Sequence, residues 1–216
     1  GTDSSMQFAH NTKEQLIEMI RQNYNHTSIF CWGLFNELGV GHPETLVWQL
    51  NELAHQEDPT RFTVAATNQD NKVYNFYTDI LAYNTYPGWY WADPQTMRYA
   101  VDWKYEPTNK QPGIGVSEYG AGASIKHHEE NVKKPKTDGD WHPEEWQAVC
   151  HEGNYEEIVK REWLWGTFVW NMFDFASASR REGDTYGIND KGLVTYDRKV
   201  RKDAFYYYKA QWNKEP

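Results

Sequence analysis

The sequence predicts an α/β protein built on a parallel sheet. Three observations point there: short continuous apolar runs suited to strands buried on both faces, amphipathic stretches of helical period, and the regular alternation of the two. Strand-like runs start near Ile29, Arg61, Ile80, Ile114 and Thr167, separated as βα units are, with an extra loop around Lys133-Lys134-Pro135-Lys136. Such alternation implies right-handed crossovers. A closed barrel of eight βα units takes about 250 residues. With five strands the chain fits either an open sheet or the later part of such a barrel, its fourth to eighth strands, across residues 1–216.

Each element has its own signal. Thr12-Lys13-Glu14-Gln15 reads as a capping box, followed by Leu16, Ile17 and Ile20 at helical spacing, and this helix is expected to end near Tyr24-Asn25-His26. The apolar run Ile29 to Phe35 is the first strand and stops at Asn36-Glu37. His42-Pro43-Glu44 opens a second helix whose stripe is Leu46, Val47, Leu50, Leu53 and Ala54, closed by Asp58-Pro59. Further strands are expected at Arg61–Ala66, Ile80–Tyr86, Ile114–Glu118 and Thr167–Phe173. Helical stretches fall at Thr96–Lys104, Pro143–Trp163 and Lys202–Trp212.

Composition narrows the function. The 216 residues carry a net charge of −9, which opposes a nucleic-acid binder, since that would need a basic face. No apolar run approaches the roughly eighteen residues of a membrane-spanning helix. The sequence opens on Gly1 rather than Met and shows no charged-then-apolar leader, which fits a processed, excised or tagged segment with no visible secretory signal. Cys31 and Cys150 are too few for a disulfide framework or a four-cysteine zinc site. The aromatic content is high, with 11 Trp, 15 Tyr and 9 Phe. Most of these rings fit a core, but a flat apolar face with a polar tip also suits a sugar ring.

Two strands end in a carboxylate, at Asn36-Glu37 and at Ser117-Glu118-Tyr119. In βα barrels the C-terminal edge of the strands carries the active site. One such Glu could cap a helix or pair with Arg. Two on parallel strands match the pair of carboxyls that glycoside hydrolysis needs.

The words around these glutamates carry a resemblance. Ser28 to Glu37 (SIFCWGLFNE) resembles the acid/base strand of glycoside hydrolase family 2, and Gly115 to Ala121 (GVSEYGA) resembles its nucleophile strand. Phe168 to Phe175 (FVWNMFDF) is similar to the eighth barrel strand, and Gly187 to Val194 with Asp197-Arg198-Lys199 to the segment after it. The four blocks keep the family's order and cover nearly the whole chain. The resemblance implies the C-terminal part of a TIM barrel, and within the family the likeness is strongest to β-galactosidases acting on terminal β-D-galactosides.

It also implies roles. Glu37 would protonate the glycosidic oxygen and later activate water, while Glu118 would attack the anomeric carbon in a retaining double displacement. Asn36 would bind the sugar 2-hydroxyl. Tyr86, in the matching block Asn84 to Tyr90, would donate its hydroxyl to Glu118. Trp170 would floor the pyranose, and Trp89 would line an outer subsite or pack beneath the loop. Asn189 and Lys191 resemble the carboxylate-binding Asn-x-Lys pair of β-glucuronidases, the first alternative within the family, although Asp190 beside Lys191 should partly offset its charge. A carbohydrate-binding module without chemistry would not need two strand-end glutamates.

No cofactor is implied. His127-His128, His142 and His151 lack zinc spacing, so no metal site is expected there. The resemblance leaves open a bound ion near Glu37, because its ligands would lie on strands before Gly1. The expected partner is a β-galactoside or related glycan, with neither nucleic acid nor membrane. Nothing in the sequence fixes a cellular location. A barrel lacking its first strands would expose the side of the Ile29–Phe35 strand, so either self-association through that edge or extra helical cover hiding it is expected, with little or no catalysis by the chain alone.

Overall fold

The structure is a computed structural model that describes residues 2–39, 41, 43–105 and 113–213. By its contacts the chain forms two compact units, one of residues 1–84 and 107–115, the other of 85–106 and 116–216.

The first unit contains α1 (Thr2–Asn23), β1 (Cys31–Asn36), α2 (Glu44–Glu57), β2 (Phe62–Thr67) and β3 (Ile80–Asn84). β1 pairs in parallel with β2, Cys31 opposite Phe62 and Asn36 opposite Ala66, and the register slips between Gly33 and Phe35. β2 pairs in parallel with β3, Val64 opposite Ile80 and Thr67 opposite Tyr83. All five residues of β3 are buried, as a parallel strand covered on both faces requires. Leu16, Ile20, Trp32, Leu50 and Ala54 form the core between α1, α2 and β1. Each large apolar side chain buried there contributes about 1.5–3 kcal/mol.

One polar cluster closes this core. Asp58 is fully buried at the end of α2. Its carboxylate accepts from the Trp32 indole N–H at 3.0 Å, from Thr60 N–H and Oγ1 at 3.0 and 2.6 Å, and from Arg61 at 2.6 Å. Arg61 also donates to the carbonyls of Ile29 and Tyr24, both at 2.8 Å, pinning the segment that enters β1.

The second unit holds α3 (Met97–Tyr105), most of β4 (Ile114–Tyr119), α4 (Glu144–Ile158), β5 (Leu164–Val169), the two-residue strands β6 (Phe175–Ala176) and β7 (Ile188–Asn189), and α5 (Asp203–Trp212). β6 and β7 pair antiparallel. Met97, Val101, Val116, Tyr119, Ile158, Leu193 and Tyr208 build its main core. Strand order in the large sheet is β1-β2-β3-β4-β5, with β1 and β5 outermost.

Three expectations need correction. α1 starts at Thr2 rather than at Thr12, and the Thr12 hydroxyl donates to the Phe8 carbonyl one turn back, so it bonds within a helix instead of capping one. The last strand of the large sheet lies at Leu164–Val169, earlier than Thr167–Phe173, because the apolar run continues past the sheet into the loop. The β6–β7 pair was not foreseen, since two-residue strands leave no periodic signal.

Candidate active site

Glu37 directly follows β1, and its φ of +49° lies in the left-handed region that residues with side chains rarely adopt. Its backbone N–H donates to the Ala66 carbonyl at 3.0 Å, tying the turn to the end of β2. Asn84, the last residue of β3, donates from Nδ2 to Asn36 Oδ1 at 2.8 Å and to Glu37 Oε1 at 2.9 Å. One amide therefore orients both residues that end β1. Sequence reasoning missed Asn84, since an Asn ending a strand reads as turn chemistry.

In the second unit Glu118 stands near the C-terminal end of β4. Tyr86 donates its hydroxyl to Glu118 Oε2 at 2.5 Å, the bond expected of it. A phenol at this distance holds the carboxylate in one orientation. Trp170 follows β5, is half-buried, and packs on a cluster of Tyr86, Trp89, Ala121, Trp146 and Cys150. The edge of Phe175 meets it with ring centroids 5.8 Å apart. The peptide bond between Trp170 and Asn171 is cis.

Trp89 takes the packing role. It is 0% exposed, so no face of its ring can line an outer subsite. Its ring instead supports Lys191, whose Nζ lies 5.4 Å from the Trp89 centroid and 5.1 Å from that of Tyr90. Lys191 is 1% exposed. The Tyr90 hydroxyl also accepts from Arg180 at 3.4 Å. Burial would raise this phenol, but Lys191 and Arg180 outweigh it and leave Tyr90 more acidic than usual. Asn189 is buried, and its Oδ1 accepts from the Lys191 N–H at 3.1 Å.

Asp190 makes its side-chain ion pair with His142, while the nearby charge of Lys191 also helps to hold its carboxyl below the usual range, so the partial offset expected from their adjacency is present without a direct bond. Its Oδ2 lies 2.6 Å from Nδ1 of His142, which is 0% exposed. The other histidines serve local contacts: His127 stacks on Trp141 at 4.1 Å, His128 meets Glu145 at 2.8 Å, and His151 meets the Tyr208 hydroxyl at 2.9 Å. Among the described residues no three His, Cys, Asp or Glu side chains converge as a metal site.

The fold and these residues are those of a βα-barrel domain with carboxylates at the ends of two strands. Residues 2–215 match the TIM barrel domain of the glycosyl hydrolases family 2, and the chain belongs to that family. It is 57% identical to a β-glucuronidase of Bacteroides fragilis, over 96% of this chain and 30% of that protein. The FMN-binding β-glucuronidase of Faecalibacterium prausnitzii L2-6 superposes with a TM-score of 0.89 at 37% identity, over 100% of this chain and 33% of the other. A Bacteroides fragilis structure provisionally named a β-galactosidase gives a TM-score of 0.88 at 36% identity, over 96% and 32%. The chain thus spans about a third of the length of these relatives.

Proposed function

We propose that this chain carries the catalytic glutamates and the sugar-acid recognition pair of a retaining β-glucuronidase. The observation that carries the choice is the orientation of Asp190. With that carboxylate bonded to His142, the buried ammonium of Lys191, packed over the Trp89 and Tyr90 rings, is the cation assigned to a uronate, together with Asn189 two residues before it. The likeness to a 57%-identical β-glucuronidase supports the same reading. The galactoside expectation gives way, because its main physical objection to glucuronide was an Asp190 charge beside Lys191.

In this mechanism Glu118 attacks the anomeric carbon as the glycosidic bond breaks, and Glu37 gives its proton to the departing oxygen. The resulting ester joins the sugar to Glu118. Water then replaces Glu118 at that carbon, giving its proton to Glu37 and restoring both carboxyls. Tyr86 orients Glu118, Asn84 orients Glu37 and Asn36, and the Asn36 amide takes the 2-hydroxyl. Trp170 offers its face to the ring.

The test compares kcat/KM on aryl β-glucuronide and aryl β-galactoside by the full-length protein. Glucuronide should be preferred by at least a hundredfold, and Lys191→Met should erase most of that preference. Equal or better turnover of the galactoside would overturn the assignment.

A further inference from the structure

Asn189-Asp190-Lys191 is held from several directions. Its backbone is bonded by Asn171 N–H to Lys191 O at 3.1 Å and by Ala123 N–H to Asp190 O at 3.0 Å. The buried ammonium of Lys202 also donates to Asp190 O, at 2.9 Å. The Asp190 side chain has a built receptacle of its own. A Cβ on Gly183, whose φ is +72°, would lie 2.6 Å from Asp190 Oδ2, and one on Gly122 would collide with Oδ1. Two side-chain-free residues therefore make room for this carboxylate, and His142 supplies the hydrogen bond at its base.

The receptacle matters because of what lies on the other side. A buried carboxylate that loses its partner must find another cation or take up a proton. Lys202 already serves Asp174 at 2.8 Å and two carbonyls, of Ala123 and Asp190. The neighbouring cation is Lys191, next in the chain.

We propose that His142 is a positioning residue for sugar-acid recognition: by holding Asp190 in the Gly122–Gly183 receptacle, it keeps an internal carboxylate from pairing directly with Lys191. The inference rests on the proposed role of Lys191 toward a uronate. It adds that the acid-sugar preference is set by a competition between the substrate's carboxylate and the protein's own.

The experiment measures kcat and KM on an aryl β-glucuronide, with kcat/KM on the matching aryl β-glucoside, for the full-length enzyme and three variants. His142→Leu should raise KM for the glucuronide roughly ten- to hundred-fold, the scale of a hydrogen bond to a charged group, with kcat and glucoside turnover little changed. His142→Asn, which keeps an N–H donor, should retain most of the affinity. The decisive variant is the double His142→Leu/Asp190→Asn. It lacks the competing charge and should recover affinity lost in His142→Leu. A double variant as weak as His142→Leu, or weaker, would overturn the proposal, since a purely structural role predicts added damage. Unchanged glucuronide KM in His142→Leu would overturn it as well. If the unmodified enzyme shows no preference for glucuronide over glucoside, the function assignment itself fails, a separate outcome from either of these.

Discussion

The Tyr86 hydroxyl lies 2.5 Å from Oε2 of Glu118, a contact that joins the residues following β3 to the tip of β4. Hydrogen bonds to charged groups are worth about 1.5–3 kcal/mol, so Tyr86→Phe should lower kcat by roughly ten- to a hundred-fold. Stopped-flow measurement of glycosyl-enzyme formation is the check. The loss should fall on that step, and a variant slowed only in hydrolysis would contradict the role.

Glu118→Gln should abolish covalent intermediate formation altogether. Glu37→Gln should spare substrates with activated leaving groups, which need little protonation. Asn84→Ala should resemble a mild Glu37 variant, because it releases Glu37 Oε1 and Asn36 Oδ1 together. Its loss should be greater on alkyl than on nitrophenyl glucuronides. Equal losses on both would separate Asn84 from acid catalysis.

Asp58→Asn should destabilise the first unit by about 3–5 kcal/mol, since it removes the countercharge of the largely buried Arg61 and leaves one amide oxygen to serve the donors that two carboxylate oxygens served. Burial opposes the charge of Asp58, but bonds from Thr60, Arg61 and Trp32 prevail and hold it below the usual carboxylate range. With the folded value depressed, this stability is present above an unfolded value of about 3.9 and fades as pH falls below it. Urea unfolding should show the variant's deficit at pH 7 and a smaller one at pH 2.

Two buried groups in the second unit should oppose each other in acid. Burial raises Asp174 to about 6, against the pull of Lys202, so Asp174 adds stability as pH falls from 6 towards its unfolded value near 3.9. Burial lowers His151 to about 3, with Lys202 adding to the shift, so stability is lost as pH falls below its unfolded value near 6.5. Between about pH 4 and 6 the two slopes should cancel. Asp174→Asn should leave a protein that weakens on acidification over that range, and His151→Gln one that strengthens. Identical pH dependence in the two variants would refute both assignments.

β1 and β5 end the strand order, and each presents a side to which no further strand of the large sheet is paired among the described residues. Such edges recruit other chains. We propose that this chain alone associates with itself and turns over aryl glucuronides poorly. Light scattering and an activity assay on one sample test this, and a monomer with activity typical of the family would refute it.

Much of the fold was legible because strands of a parallel interior announce themselves as unbroken apolar runs; β3, buried at every position, is the clearest case. The two strand-end glutamates were legible for a related reason, each being a sharp change from apolar run to carboxylate. Less could be read where one residue type serves two ends. Thr12 followed by Gln15 has the form of a helix start, yet lies inside α1. Trp89 could equally line or support a subsite, and only burial decides. Asp190 shows the deeper limit: sequence reports that two charges are neighbours but not which way each faces.

Lys202 immediately precedes α5 and is 0% exposed, with its ammonium spent on the Ala123 carbonyl, the Asp190 carbonyl and the Asp174 carboxylate. Those acceptors lie on loops synthesised earlier, including the one that presents Asn189 and Lys191. On a ribosome these loops must wait, their acceptors hydrated, until the final stretch of this segment emerges. The loop that carries Asn189 and Lys191 is therefore latched from its C-terminal side, and a nascent chain halted before Lys202 should hold its strands with that loop still unfastened.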